Sequence, residues 1–279
     1  MAENSKIEWT DNTANFWWGC VKVSPGCKHC YAETLSIRYG KNIWGPAQTT
    51  QREYKKAIWK TIPKWNETAR NDGQRYRVFV QSMSDFFEDH PQVSEWRQDA
   101  LSIMGQCQNL DFQVLTKRPE NIIRMVSERH FAQGLPPNIW IGTSVENQEQ
   151  ADIRIPHLME VPANVRFLSI EPLLGPIDFR QVPKLNRMGA DISSLWVIVG
   201  GESGQHARPM HPDWARSIRD QCHNAGVPFF FKQWGEWFPA FDSTSSRVHE
   251  FPDGERMFRI GKGAAGRLLD GVEHNELPL

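Results

Sequence analysis

Six short runs of β-branched and aromatic residues recur along the chain, at residues 77–81, 112–115, 139–141, 165–170, 195–199 and 228–231, and each gives way to a polar cluster and then a helical stretch. The runs are continuously apolar rather than alternating, so they read as strands buried on both faces. Their alternation with helices predicts a parallel sheet. A first strand near residues 7–9 makes seven candidates. Helices are expected over residues 30–39, 51–61, 93–107, 120–129, 148–158 and 212–225. The last of these has Pro212 at its start, Asp213 in its first turn and Gly226 just beyond its end. The expected fold is therefore α/β, a complete or partial TIM-type (β/α) barrel with parallel strands. Residues 1–238 are expected to form one domain, with 239–279 a surface loop and C-terminal extension packed on it.

The polar clusters at the strand ends are the candidate ligand-facing groups. They are Ser82, Ser84 and Asp85; Lys117 and Arg118; Ser144 and Glu146; Glu171; Gly200, Gly201 and Glu202; and Lys232, Gln233 and Trp234. In parallel α/β folds ligands sit at the carboxyl ends of strands, although helix N-caps draw on the same Ser, Thr and Asp residues. Glu171 and Glu202 directly follow apolar runs, where a carboxylate is costly to bury unless paired. A salt bridge to Lys117, Arg166 or Lys232 is the structural alternative to a ligand role. Gly200 and Gly201 would let backbone approach a cofactor, or serve an ordinary turn.

Three of the five cysteines, Cys20, Cys27 and Cys30, stand within eleven residues. Three thiolates on one short loop can hold three irons of a [4Fe–4S] cluster and leave the fourth for an outside ligand. Zinc is the competing reading, with Cys27 and Cys30 as a half-site completed by Cys20 and a histidine such as His29. A disulfide framework is disfavoured by the low cysteine count and by the lack of a signal peptide or long apolar run before the motif. Cys107 and Cys222 lie in helical stretches and read as buried thiols.

The formal net charge of −1 gives no global attraction to nucleic acid, so any such partner needs a local basic groove. Residues 52–60, with Lys64 and Trp65, interleave basic and aromatic side chains in a manner usable as a phosphate track, but an ordinary solvated helix face is the preferred reading. The twelve tryptophans favour packing over base stacking. A cytoplasmic protein without membrane association is expected.

The segments Asn15-Phe-Trp-Trp-Gly-Cys20 and Ser24-Pro-Gly-Cys27-Lys-His-Cys30-Tyr31-Ala-Glu33 resemble the signature of an uncharacterised phage and bacterial family of three-cysteine-motif proteins, regarded as radical-SAM-like. Ser82-Met-Ser-Asp85, Leu115-Thr-Lys-Arg-Pro119, Gly142-Thr-Ser-Val-Glu146, Ser169-Ile-Glu-Pro-Leu173, Gly200-Gly-Glu-Ser203, Phe231-Lys-Gln-Trp-Gly235 and residues 265–271 are similar to its recurring blocks. The cysteine loop alone also resembles that of spore photoproduct lyase, a radical-SAM DNA-repair enzyme. Six residues separate the first two cysteines where three are usual. His29 replaces an aromatic residue, and Phe16 stands where proline is frequent.

The resemblance implies a [4Fe–4S] cluster on Cys20, Cys27 and Cys30, with S-adenosylmethionine on the free iron and reductive cleavage of its C5′–S bond. On that basis Ser82, Ser84 and Asp85 would receive the cofactor's amino group, Lys117 or Arg118 its carboxylate, and Ser144 or Glu146 its ribose. Gly200, Gly201 and Glu202 would line the adenine or substrate side, and Trp17, Trp18 and Trp234 would wall the site. Glu171, Lys232, Gln233 and Trp234 are the substrate candidates. A DNA or RNA substrate and an external electron donor are the implied partners. The alternatives are a radical-SAM enzyme acting on a small metabolite and a zinc- or cluster-stabilised non-catalytic binding module of a phage.

Overall fold

A computed structural model of the protein describes residues 5–126, 135–183, 192–240 and 247–278. The chain divides into two compact units. The first comprises Met1–Val23, Cys30–Thr143 and His157–Arg166; the second comprises Ser24–His29, Ser144–Pro156 and Phe167–Leu279.

The first unit carries strands β1 (Asn12–Ala14), β2 (Trp17–Trp18), β3 (Glu53–Tyr54), β4 (Tyr76–Val80), β5 (Leu110–Thr116) and β6 (Ile139–Ser144, its last residue assigned to the second unit). Its helices are α1 (Tyr31–Arg38), α2 (Ile58–Asn71), α3 (Val93–Gln106) and α4 (Ile122–Val126). Strands β1, β4, β5 and β6 pair in parallel, with Ala14 beside Val80, Val80 beside Val114 and Val114 beside Ile141. Ala14 and its three β-branched neighbours are fully buried, as their continuous apolar patterning requires. The amphipathic α2 buries Ile58, Ile62, Trp65 and Ala69 on one stripe and leaves Lys60 and Lys64 exposed.

The second unit carries α5 (Gln148–Met159, its last turn assigned to the first unit), β7 (Arg166–Ile170, beginning in the first), β8 (Leu195–Gly200), α6 (Pro212–Ala225) and β9 (Phe229–Gln233). A small antiparallel sheet follows, with β12 (Arg256–Arg259) between β10 (Trp237–Phe238) and β11 (Val248–Glu250), and then α7 (Lys262–Ala265). Helix α6 starts with the His211 ring accepting from the Asp213 amide and ends at Gly226, whose φ of 65° suits glycine. The tail runs beside β9, with Phe231 N donating to His274 O at 3.0 Å and Trp196 Nε1 to Glu276 O at 2.9 Å.

The seven long-range strands form one parallel sheet in the order β1-β4-β5-β6-β7-β8-β9. With β1 and β9 as its edges the sheet is open, the partial form of the expected barrel. Among the described residues no helix is long and apolar enough to cross a membrane.

Local differences from the sequence expectations have physical causes. The first strand begins at Asn12, not in residues 7–9, because Asp11 N donates to Arg77 O and sets the register there. Residues 7–9 form a turn that buries Trp9 against Phe79. The helix expected from residue 51 begins at Ile58, since Glu53 and Tyr54 pair with Trp18 and Trp17 in antiparallel fashion. The helix expected over 120–129 is a 3-10 turn at Pro119–Asn121 followed by α4, and 127–129 lie outside the described residues. The surface loop expected at the start of residues 239–279 contains the strand β11, with 241–246 outside the described residues. Thr143 and Ser144 continue β6, and Lys232 and Gln233 continue β9, rather than following those strands.

Candidate functional site

In the first unit, β2 leads through Gly19 (φ 109°) to Cys20. The Gly19 amide donates to Met83 O at 3.0 Å, and a Cβ here would fall 2.5 Å from Ile43 O, so glycine is required. Cys20 Sγ lies 3.9 Å from Arg118 Nη1, and Arg118 Nη2 donates to Val21 O at 2.8 Å. Arg118 is buried and pairs with Asp85 at 2.8 Å. Asp85 also accepts from Thr116 Oγ1 at 2.6 Å, Lys117 N at 2.8 Å and Phe87 N at 3.0 Å. Beneath this hub the buried Arg52 makes a two-pronged pair with Glu88, both contacts at 2.8 Å. Arg52 is therefore a structural cation and no part of a phosphate track. Lys55 of the same segment lies over the Trp18 ring at 3.6 Å.

Burial pushes the Cys20 thiol up to about 12; Asp85 and Glu88 add to this, and Arg118 opposes it. Cys30 caps α1, its carbonyl accepting from both the amide and the hydroxyl of Thr34 at 3.1 Å. The hydroxyl of Tyr31, one residue on, reaches Ser82 O at 2.6 Å. Ser82 Oγ accepts from Asn15 Nδ2 at 3.0 Å, and Ser84 Oγ donates to Trp17 O at 3.0 Å. Parallel pairing of β4, β5 and β6 sets their carboxyl-terminal residues at one edge of this unit.

In the second unit the Ser24–His29 segment forms a 3-10 turn at Pro25–Cys27. Ser24 Oγ donates to Glu146 Oε1 at 2.7 Å and lies 3.8 Å from Cys27 Sγ. Glu146 is fully buried and pairs with Arg154 at 2.9 Å, and the same guanidinium donates to Ser144 O at 2.8 Å. Gly26 packs so closely that a Cβ would sit 2.3 Å from Glu146 Oε1. Glu202 is gripped by Arg208 through Nη2 at 2.6 Å, Nε at 2.7 Å and the backbone amide at 2.8 Å. Arg208 Nη1 donates in turn to Pro25 O at 3.1 Å.

Glu171 pairs with Lys232, Nζ lying 2.8 Å from both carboxylate oxygens, which is one of the salt bridges foreseen. The partner of Glu202, Arg208, is not among the foreseen cations. Gln233 donates to Gly201 O at 2.9 Å. Trp234 is buried and donates to Leu268 O at 2.8 Å, and Trp17 is also buried, so both are core side chains rather than walls of an open site. A Cβ on Gly201 would lie 1.9 Å from Trp234 O, and one on Gly200 would lie 3.3 Å from the Glu171 carboxyl carbon. Contact between β8 and β9 thus accounts for Gly201.

All five cysteines are outside disulfides; Cys20, Cys27 and Cys30 are half-buried, whereas Cys107 and Cys222 are buried. Burial pushes the latter two thiols up to about 11 and about 12. Among the described residues no three Cys, His, Asp or Glu side chains gather as ligands of one ion. A cubane differs in its demand, because each thiolate takes a separate iron at its own corner. Three cysteines outside disulfides on one run fit that donor set.

A family profile described as "Protein of unknown function (DUF5131)" matches residues 4–278. The chain belongs to the DUF5131 family. No curated protein matches it in sequence. Among solved structures this DUF5131 protein is similar to a cysteine-to-alanine mutant of spore photoproduct lyase with dinucleoside spore photoproduct, at a TM-score of 0.51 and 15% identity, covering 92% of this chain and 70% of that one. The corresponding mutant alone gives a TM-score of 0.50 at 14% identity, with the same coverage. The likeness is one of fold.

Sequence reading missed several buried partners in this DUF5131 chain. Arg52, Arg154 and Arg208 carry no motif, and Glu88 lies in the irregular stretch before α3. A signal did exist in the acids, because a carboxylate that directly follows a buried strand requires a cation somewhere in the chain. Glu146 and Glu202 each meet that requirement with an arginine a few residues later.

Proposed function

We propose that this protein is a radical S-adenosylmethionine enzyme in which Cys20, Cys27 and Cys30 ligate a [4Fe–4S] cluster, and that its substrate is a nucleic acid. The observation that carries the reading is the cysteine run itself. Its flanks are fastened by buried acid–arginine pairs at strand ends, Asp85–Arg118 beside Cys20 and Glu146–Arg154 behind Ser24. Fixed flanks lower the conformational entropy lost when the thiolates take up metal. The fold likeness to spore photoproduct lyase supports the same reading, and the dinucleoside photoproduct held by that protein supports the substrate class.

When bound, the cluster and S-adenosylmethionine supply reductive C5′–S cleavage. The chain's own residues then divide into two groups. Asp85, Arg118, Glu146 and Glu202 hold the cysteine run. Ser82, Ser84, Lys117, Ser144, Gly200 and Gly201 remain the cofactor-side positions, with Glu171, Lys232 and Gln233 on the substrate side. The protein is expected to take electrons from an external donor.

Anaerobic purification and reconstitution should yield about four irons and four sulfides per chain. Incubation with S-adenosylmethionine, dithionite and oligonucleotides should then release 5′-deoxyadenosine. One zinc per chain without iron would instead identify a metal-stabilised binding module. Cofactor cleavage that no oligonucleotide stimulates, but a small metabolite does, would overturn the substrate class alone.

A further inference from the structure

Arg118 reaches further into the cysteine site than a simple core cation needs to. Its guanidinium makes three kinds of contact at once: with the Asp85 carboxylate at 2.8 Å, with Val21 O at 2.8 Å, and with Cys20 Sγ at 3.9 Å. Glu88 Oε1 stands 4.0 Å from its Nη2. Glu88 is already matched by Arg52, and Asp85 is supplied with donors by Thr116, Lys117 N and Phe87 N. The carboxylates of Asp85 and Glu88 would by themselves disfavour a thiolate at Cys20, so the donor aimed at the sulfur has a specific electrostatic consequence.

We infer that Arg118 is a positioning residue for the Cys20 ligand, fixing its sulfur by one guanidinium nitrogen and the following backbone by the other, and raising the reduction potential of the cluster that Cys20 holds. The inference rests on the proposed cluster reading and adds to it a residue that never touches iron. A hydrogen-bond donor and positive charge beside a ligand sulfur stabilise the reduced, more negative cluster, and outer-sphere partners of ligands govern how firmly metal is retained. Asp85 acts one step further out. It competes with the Cys20 sulfur for the guanidinium and adds an opposing charge, so its neutralisation should act in the reverse sense.

The experiment compares wild type, Arg118→Lys, Arg118→Met and Asp85→Asn after identical anaerobic reconstitution. Readouts are iron content, iron retention against a chelator, midpoint potential by EPR-monitored titration, and melting temperature of the apoprotein. Arg118→Met should lower the midpoint potential and weaken iron retention by about 10–100-fold, the usual loss for an outer-sphere partner. Arg118→Lys should recover part of both, and Asp85→Asn should raise the potential. An unchanged potential in folded, iron-loaded Arg118→Met overturns the inference and leaves a structural cation, whatever the melting temperature does. Should Arg118→Met fail to fold, Asp85→Asn decides, and a potential equal to wild type overturns the inference. Wild-type protein that takes up no iron would overturn the cluster reading itself, which separates the two failures.

Discussion

The cysteine run is held in different ways at Cys20 and over Ser24–Cys27. At Cys20, in the first unit, the fastening is a buried cluster of four charges, Arg52, Glu88, Asp85 and Arg118, whose last member touches the sulfur. At Cys27, in the second unit, the charges stop one layer short. Glu146 holds Ser24 and crowds Gly26, and Arg208 holds Pro25 O while staying partly open to solvent, with 27% of its side chain exposed. One part is thus tied through the Cys20 sulfur and the other through the Ser24 hydroxyl and the Pro25 carbonyl. The first arrangement should tune the metal and carry fold stability together, and the second should control loop shape alone.

Breaking the buried part tests the larger half of that contrast. Arg52→Met should destabilise the apoprotein by about 3–5 kcal/mol, because it removes the two-pronged partner of Glu88 and leaves that buried carboxylate only the long 4.0 Å contact to Arg118. Urea denaturation of the apoprotein measures this, and a loss under about 1 kcal/mol would show that water reaches the network. Glu202→Gln is the counterpart in the second unit. It removes a three-contact grip on a partly exposed arginine, and about 1.5–3 kcal/mol is expected. A cost equal to that of Arg52→Met would erase the difference between the two parts.

Gly26→Ala separates loop shape from stability. The added methyl would meet Glu146 Oε1 at 2.3 Å and its Cγ at 2.5 Å, so the carboxylate must shift away from Ser24. Melting temperature should change little, while iron content after reconstitution falls several-fold. Normal iron loading in this variant would show that the Glu146 contact does not shape the cysteine run.

The same contrast explains what the sequence made legible. Strand positions were readable because runs such as Leu195-Trp-Val-Ile-Val199 are buried on both faces and need no partner information. The cysteine run was visible because it lies on one short segment, and the ligand role proposed for it depends only on spacing there. The roles of Asp85, Glu146 and Glu202 were not, because a carboxylate at a strand end looks identical whether it faces a ligand or an arginine. Only the fold brings Arg118 to Asp85 across a separation of thirty-three residues. Arg52 was misread for a related reason. Its neighbours Lys55, Lys56 and Lys60 suggested a solvated basic helix, yet pairing of Glu53 and Tyr54 with β2 delays the start of the helix to Ile58 and accompanies the burial of Arg52 on Glu88.

Asp270 supplies the control with the smallest expected effect, an acid–arginine cluster in the second unit far along the chain from Cys20, Cys27 and Cys30. Its carboxylate accepts from Arg216 Nη2 at 2.7 Å and from Arg219 Nη1 at 2.6 Å, tying the tail to α6. The hydrogen bond from Arg216 holds the carboxyl below its ordinary value of 3.8; partial burial opposes this, and Arg219 assists. Because the folded-state value is the lower one, the stabilisation is fully present above the unfolded value and is lost as pH falls through the folded value. The pair is 38–39% exposed on the Arg216 side, so screening should keep its worth below about 1 kcal/mol. Asp270→Asn should therefore melt slightly below wild type at neutral pH, with the gap closing below about pH 4, and should load iron normally. A gap that widened in acid would reverse the sign of the linkage. A loss of iron would mean that acid–arginine pairs anywhere in the second unit affect the cysteine run, and the distinction drawn between Glu146 and an ordinary surface tether would fail.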